Sequence, residues 1–378
     1  MSQTVYIEPG ALERLRPLLE TLNPRSIFLV TDADAYEASG ARSILSPILA
    51  DYTVTQFSAF QSNPKHPDVK RGVEHFRRYP ADLIIVVGGG TAIDMAKLIG
   101  ISAAQNAPVR KTLDGSTPII QAGPPLIAIP TTAGTGSEAT HFAVVYIDGQ
   151  KYSLAHPHIL PDYALVDPNL TTSLPPVLTA HTGLDALCQA VESLWSVNAT
   201  ESSTAYAEEA LTLVWHNLEP AVQHPTPEIR HDMSRAAHLA GCAINISKTT
   251  APHAISYTLT SRFNVPHGLA VALILGAILV YNSQVTNQDA TDPRGLEHVQ
   301  KTISKINRLL GCTDAVESHQ KIHALMRTIG CPIQLREVGV QTHSDIQTLV
   351  DNVNIERLSN NPRALTAGTL RGILEGVW

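Results

Sequence analysis

Residues 82–94 read DLIIVVGGGTAID: a continuous β-branched run that breaks into three glycines and restarts as a helix near Thr91. A strand apolar at every position is covered on both faces, which marks a parallel sheet packed between helices. The same form returns at PPLIAIPTT (124–132), SIFLVTD (26–32) is a third apolar run, and TVTQF (53–57) alternates like an edge strand. Helical spacing fills the intervals at 11–20, 67–78 and 91–104. Strands alternating with helices in this way predict an α/β domain with a parallel sheet.

The pattern changes at SLPP (173–176). Beyond it only helical periodicity is found, at 177–197, 201–216, 227–247, 251–262, 267–282, 295–310, 315–328 and 343–352. The segment QVTNQDATDPRG (284–295) reads as an exposed loop. The expected organisation is an α/β domain over 1–172 followed by an all-α domain over 173–378, and pockets favour such junctions.

Composition narrows the function. The 378 residues are 44% hydrophobic and 16% charged, as in a soluble globular protein, which excludes wholesale disorder. A net charge of −7 argues against nucleic acid or an anionic membrane as partner. The longest apolar run, 269–280, falls short of the roughly 20 residues that a membrane span needs. The N-terminal MSQTVYIEPGALERL has no apolar signal core, and a cytoplasmic location is expected. Cys188, Cys242, Cys312 and Cys331 form no close pair, so neither a zinc knuckle nor a disulfide scaffold is expected. The 16 histidines are suggestive, but their number does not distinguish metal binding from catalysis or from neither.

Two loops carry cofactor chemistry. Gly88, Gly89 and Gly90 permit positive φ and close approach of a ligand to the backbone. The helix that follows, with Thr91 and Asp94 in its first turns, offers unpaired N–H groups and a positive dipole end to a pyrophosphate. A tight βα turn without ligand is the other reading of this motif, which is not GxGxxG. The second loop, PTTAGTGSE (130–138), places Thr131, Thr132, Thr135 and Ser137 at the end of another buried strand, where open α/β sheets bind ligands.

In the second half, Leu184, Leu187, Cys188, Val191, Leu194 and Trp195 form a helical stripe, and Asp185, Gln189, Glu192 and Ser196 lie opposite. A solvated face is the plain reading of such a stripe. His253 and His267 each precede an apolar helix, as core residues or as ligands.

The segments GGGTAIDMAK (88–97), PTTAGTGSEAT (130–140), PDYALVDPNLTTSLP (161–175), TGLDAL (182–187), HAISYTLTSRFNVPHG (253–268) and NPR (361–363) resemble, in order and spacing, the iron-containing alcohol dehydrogenase family. The resemblance spans nearly the whole chain. It implies a dehydroquinate-synthase-like fold: a dinucleotide-binding domain, a helical metal-binding domain and a cleft between them. It also implies Asp185, His253 and His267 as catalytic metal ligands. The family usually has a second His four residues after the Asp, where this chain has Gln189, a harder and weaker oxygen donor. His181, one turn earlier, is an alternative ligand. Tyr257 stands where the family often has a histidine that relays protons.

The expected chemistry is hydride transfer between a nicotinamide and a carbonyl polarised by Fe²⁺, or by Zn²⁺. Asp32, after the first strand run, is placed to accept the ribose hydroxyls and repels a 2′-phosphate, which favours NADH over NADPH. Lys248, Thr249, Thr250 and Arg262 flank His253 and suit a substrate phosphonate or carboxylate, although a lone lysine commonly only flanks a helix end. The ISKTTAPHAISY context together with Gln189 resembles the branch that reduces phosphonoacetaldehyde to 2-hydroxyethylphosphonate. The expected partner is a small aldehyde or alcohol, and the expected assembly a homodimer. A general alcohol dehydrogenase, a maleylacetate-reductase-like enzyme and a degenerate nucleotide-binding protein are the alternatives.

Overall fold

The computed structural model describes residues 3–378. Its strands are β1 (Thr4–Ile7), β2 (Ser26–Thr31), β3 (Thr53–Phe57), β4 (Leu83–Gly88), β5 (Leu126–Pro130), β6 (Phe142–Ile147), β7 (Gln150–Ala155) and β8 (Tyr163–Val166). Six form one sheet in the order β1-β8-β5-β4-β2-β3, with every pairing parallel. All residues of β4 and β5 are buried, as their unbroken apolar runs predict, whereas edge strand β3 buries only Phe57.

The first helices are α1 (Leu15–Leu22), α2 (Ala33–Ala38), α3 (Ala41–Leu49), α4 (His66–Arg78), α5 (Gly90–Ala104) and α6 (Val109–Leu113). Alternation along the strands divides the core between the two faces of the sheet. Phe28, Val30, Ile84 and Val86 pack with Val73 and Phe76 of α4 and with Ile93 and Leu98 of α5. Ile27, Leu29, Ile85 and Val87 pack with Leu15 and Leu19 of α1 and with Leu45 and Leu49 of α3. The structure adds four strands that the sequence reading passed over. β1 and β8 are only four residues long. β6 and β7 form an antiparallel hairpin around Asp148-Gly149, both at positive φ, which is the Asp-Gly turn that suits a two-residue hairpin loop.

The rest of the chain is helical: α7 (Pro176–Trp195), α8 (Glu201–Gln223), α9 (Pro227–Ser247), α10 (Ala251–Phe263), α11 (His267–Ser283), α12 (Leu296–Leu309), α13 (Ala315–Thr328), α14 (His343–Asp351), α15 (Ile355–Leu358) and α16 (Ala367–Gly376). The chain divides into two compact units. Thr226–His238 groups with the residues up to Leu174, and the second unit comprises Pro175–Pro225 and Leu239–Trp378. Two bonds tie that segment to the first unit. Arg230 Nη2 donates to the Leu174 carbonyl at 3.4 Å, and the buried His238 lies 3.2 Å from the buried Glu138 carboxylate.

The loop at 284–295 is anchored rather than simply exposed. Asp292 is buried against Arg294, which also donates to the Ser196 and Ala199 carbonyls, and Asp289 pairs with Arg363 at 2.8 Å. Among the described residues no helix is long and apolar enough to cross a membrane, and none of the four cysteines forms a disulfide.

Candidate active site

The two glycine-rich loops meet at the C-terminal ends of the adjacent strands β4 and β5. Thr131 N donates to the Gly88 carbonyl at 3.1 Å. Gly88 has φ +154°, and a Cβ there would lie 2.6 Å from that of Ala92 and 3.0 Å from that of Asp32. On Gly90, the first residue of α5, a Cβ would come within 2.7 Å of Thr135 Oγ1, and Gly89 faces Thr132. A side chain at position 90 would force the two loops apart, and one at position 88 would push against Ala92 and Asp32. Asp32 ends β2 beside Gly88, where one carboxylate oxygen caps α2 by accepting from Ala35 N at 3.1 Å. The Thr91 hydroxyl accepts from Asn63 N at 3.3 Å.

Asp94 and Ser137 are placed differently from the sequence expectation. Asp94 accepts from Ser137 Oγ and, at 2.8 Å, from Val144 N, and so braces the loop from beneath. The hub of this brace is Lys97, one turn along α5, which the sequence reading overlooked. Its ammonium donates to Ser137 O (2.6 Å), Thr140 O (2.8 Å), Phe142 O (2.9 Å) and Thr140 Oγ1 (3.0 Å). A lone cation in an otherwise apolar helix was the available signal.

Burial pushes Lys97 down to about 8, against the pull of Asp94 and Glu138. The folded chain therefore releases this proton at lower pH than the unfolded chain, and burying the charge weighs on stability below pH 8 but no longer above the free-lysine value of 10.5. At neutral pH the cage holds a cation. Replacing Lys97 with Met should weaken NADH binding about tenfold, the order expected for a lost charged hydrogen-bond hub. Fluorescence titration across pH 7–9 would test this. The wild type should lose affinity above about pH 8, and the variant should lack that step.

The second unit holds the other cluster. On α7, Asp185 and Gln189 lie one turn apart, each 3% exposed. His253 sits in the first turn of α10, and His267 opens α11. The ligand atoms of Asp185, His253 and His267 lie within 4.8 Å of one another, the only such group of three among the described residues; His181 is not part of it. His253 Nε2 faces Asp185 Oδ1 at 3.4 Å, and that buried oxygen has no hydrogen-bond partner. A buried carboxylate and two imidazoles suit Fe²⁺ or Zn²⁺. Gln189 is hydrogen-bonded to the Asp185 carboxylate, which can only accept, so its amide N–H₂ is the donor. The amide oxygen is then the end with ligand character.

Glu192, one turn beyond Gln189 and fully buried, organises this cluster. Its Oε2 accepts from His253 Nδ1, and its Oε1 accepts from Thr250 N (2.9 Å), Thr250 Oγ1 (2.9 Å) and His253 N (3.3 Å). The bond at Nδ1 sets the tautomer that turns Nε2 toward Asp185. Burial opposes a charge on His253, but Glu192 and Asp185 outweigh it and raise the imidazole to about 9. Burial likewise opposes ionisation of Asp185, and His253 and His267 hold its carboxyl below the usual carboxylate value.

The expected substrate residues separate. Thr250 donates to Glu192 and accepts from Trp195 Nε1 at 2.8 Å, so its hydroxyl is occupied in holding the site together. Arg262 is exposed in the last turn of α10 and donates to Asn352 Oδ1 at 3.3 Å. Nine residues after His253, at about 100° each, it lies on the opposite side of that helix. Thr249 is buried, and its carbonyl accepts from Asn360 Nδ2 at 2.9 Å. Lys248 is half-buried at φ +64° just past the end of α9.

A family model described as "Iron-containing alcohol dehydrogenase" matches residues 2–168, and one described as "Fe-containing alcohol dehydrogenase family, C-terminal" matches residues 179–378. The chain belongs to the iron-containing alcohol dehydrogenase family, whose members use NAD(H) and Fe²⁺, and it is an oxidoreductase acting on CH–OH groups. Long-chain-alcohol dehydrogenase 1 of Geobacillus thermodenitrificans is 31% identical over 98% of this chain and 93% of its own length. Phosphonoacetaldehyde reductase of Streptomyces viridochromogenes is 38% identical over 82% of this chain and 80% of its own. The crystal structure of sulfoacetaldehyde reductase from Bifidobacterium kashiwanohense in complex with NAD+ superposes with a TM-score of 0.88 at 28% identity, covering 99% of this chain and 96% of that one.

Proposed function

We propose that this enzyme reduces a small aldehyde bearing an anionic head group to the primary alcohol, with NADH as hydride donor and phosphonoacetaldehyde as substrate. The observation that carries the reading is Lys248. It is held half-buried in a left-handed backbone that costs roughly 1–2 kcal/mol for a residue with a Cβ, five residues before His253. The same conformation ends α9, with Lys248 N donating to the Ile244 carbonyl at 3.0 Å, and opens the turn that leads to His253. The 38% identity to a phosphonoacetaldehyde reductase supports the same substrate.

In this reading Asp185, Gln189, His253 and His267 hold Fe²⁺, which polarises the substrate carbonyl when bound. Glu192 keeps His253 in the tautomer that presents Nε2, and burial of the cluster excludes water. Gly88, Gly89, Gly90 and the N-terminus of α5 receive the pyrophosphate, with Thr131, Thr132 and Thr135 around it, and Asp32 takes the ribose hydroxyls. Asp94, Lys97 and Ser137 keep the loop in shape from below. The working form is a homodimer.

The deciding experiment measures bound iron and zinc. It then compares NADH oxidation with phosphonoacetaldehyde, sulfoacetaldehyde and propanal before and after chelation and Fe²⁺ addition. The expected result is a preference for the anionic aldehydes, activity lost on chelation and activity regained with Fe²⁺. Equal kcat/KM for all three aldehydes would contradict the anionic substrate. Lys248→Ala should raise KM for phosphonoacetaldehyde about tenfold or more, the order for a lost charged contact. An unchanged KM would remove Lys248 from the substrate site.

A further inference from the structure

We infer that Asn360, just past the short helix α15, is a positioning residue for the metal cluster: it holds the peptide between Thr249 and Thr250 in the orientation that lets Glu192 fix His253. This rests on the reading of Asp185, Gln189, His253 and His267 as iron ligands and extends their support to a residue far along the chain.

The Thr249 carbonyl and the Thr250 N–H belong to one planar peptide unit, so the direction of either group sets the direction of the other. Asn360 Nδ2 donates to that carbonyl at 2.9 Å, and Glu192 Oε1 accepts from that N–H at 2.9 Å. The unit is thus gripped at both ends, and the Thr250 hydroxyl adds a further bond to Glu192 at 2.9 Å. The other oxygen of Glu192 meets His253 Nδ1. The path from Asn360 to the imidazole is therefore an amide, a peptide and a carboxylate.

The residue type follows from this geometry. A carbonyl oxygen can only accept, which fixes the Nδ2 end of the Asn360 amide toward Thr249 and turns Oδ1 the other way. There Oδ1 accepts from Asn198 Nδ2 at 2.9 Å, and the Asn360 carbonyl accepts from Val197 N at 3.0 Å. Both partners lie just past the end of α7. Asn360 therefore ties the helix that carries Asp185, Gln189 and Glu192 to the turn that leads to His253. Aspartate is the same size but, when ionised, has no proton to offer a carbonyl, and leucine has neither donor nor acceptor.

The clamp is itself anchored. Asn360 N donates to the Arg357 carbonyl at 3.2 Å. Asn361, only 1% exposed, exchanges two side-chain hydrogen bonds with the buried Asn282 of α11, at 3.2 and 2.9 Å, and donates to the Arg363 carbonyl at 2.8 Å. The segment NPR (361–363) thus fastens Asn360 to the helix that begins with His267.

The test combines chelator competition for iron with amide hydrogen exchange on the metal-free enzyme. Asn360→Leu should bind iron about tenfold more weakly, the order for leaving the carbonyl of a buried residue without its donor. Asn360→Asp should do no better, since its carboxylate faces an oxygen. Arg363→Met is the control. It removes bonds to Asp289 (2.8 Å) and to the Tyr281 carbonyl (2.5 Å), and should lower the melting temperature while iron affinity stays within about twofold. Without metal, the 249–254 segment should lose about tenfold in exchange protection in Asn360→Leu and keep it in Arg363→Met. In a Glu192→Gln background, Asn360→Leu should cost no more than about a further twofold in iron affinity, because both act on the same peptide. Wild-type iron affinity and protection in Asn360→Leu, an equal loss in Arg363→Met, or full additivity with Glu192→Gln would each overturn the assignment. A wild type that holds no iron, while exchange still separates the two variants, would sink the ligand reading and leave Asn360 in its role.

Discussion

Replacing Gly268 with alanine should leave a folded protein that no longer retains iron. Gly268 directly follows His267 at the point where α11 crosses α7, and a Cβ there would sit 1.9 Å from the His181 carbonyl oxygen and 2.9 Å from Asp185 N and Cβ. Relieving that overlap needs a shift of about 1–1.5 Å between the helices, set by ordinary contact distances. The shift falls between His267 and Asp185, two of the candidate ligands. Metal sites tolerate errors of only about 0.2 Å in ligand distance, so the two ends of the cluster would cease to serve one ion. Bound iron after desalting should drop below about a tenth of the wild-type content, and kcat should fall about a hundredfold, the order for a 1 Å misplacement at a reacting centre. The melting temperature should fall as well, by the few degrees that correspond to an overpacking cost of about 1–3 kcal/mol. Wild-type iron content in this variant would show that α11 is not held where the structure has it.

The second large effect is expected from Glu192→Gln. The carboxylate accepts from two backbone N–H groups, a hydroxyl and an imidazole, all inside a fully buried site. An amide has one accepting oxygen in place of two, and its N–H₂ end would face donors. Breaking a buried charged network by altering one partner costs on the order of 3–5 kcal/mol. His253 would lose the contact that fixes its tautomer, and iron affinity should fall about 10–100-fold, as when the hydrogen-bond partner of a ligating histidine is removed. Chelator competition separates this from simple unfolding, because Asp185, Gln189 and His267 are untouched. A variant that binds iron as tightly as the wild type would reduce Glu192 to a packing role.

The sequence carried the architecture well where periodicity is strong. The runs 82–90 and 124–132 announce two-faced burial, and the eight helices expected after residue 173 are present with ends that agree closely, apart from α8, which runs on to Gln223. Strands of four residues, such as β1 and β8, are too short to show a period at all. The site was legible in part. Asp185, His253 and His267 stood out, and the structure brings them together. Glu192 was visible only as one more polar residue on a helix face, because its partners lie 58 and 61 residues further on. Lys97 was missed for the same reason, since its partners lie some 40 residues further on and cannot be read from its own neighbours in sequence. Arg262 was chosen for nearness along the chain, and helical rotation carries it away.

The sharing of Glu192 between Thr250 and His253 decides which changes the turn before His253 tolerates. The two oxygens of one carboxylate anchor both the end of the 247–250 turn and the histidine three residues later, while Ser196 Oγ and Asn360 Nδ2 hold the carbonyls of Ser247 and Thr249. Residues 248 and 249 are bonded through their backbone carbonyls, so a change of side chain there leaves the contacts of Glu192 in place. A change at Thr250 or Glu192 would instead reach the histidine, because Thr250 and His253 share that one carboxylate. One buried carboxylate thus separates a stretch whose side chains can vary from a histidine whose place is set.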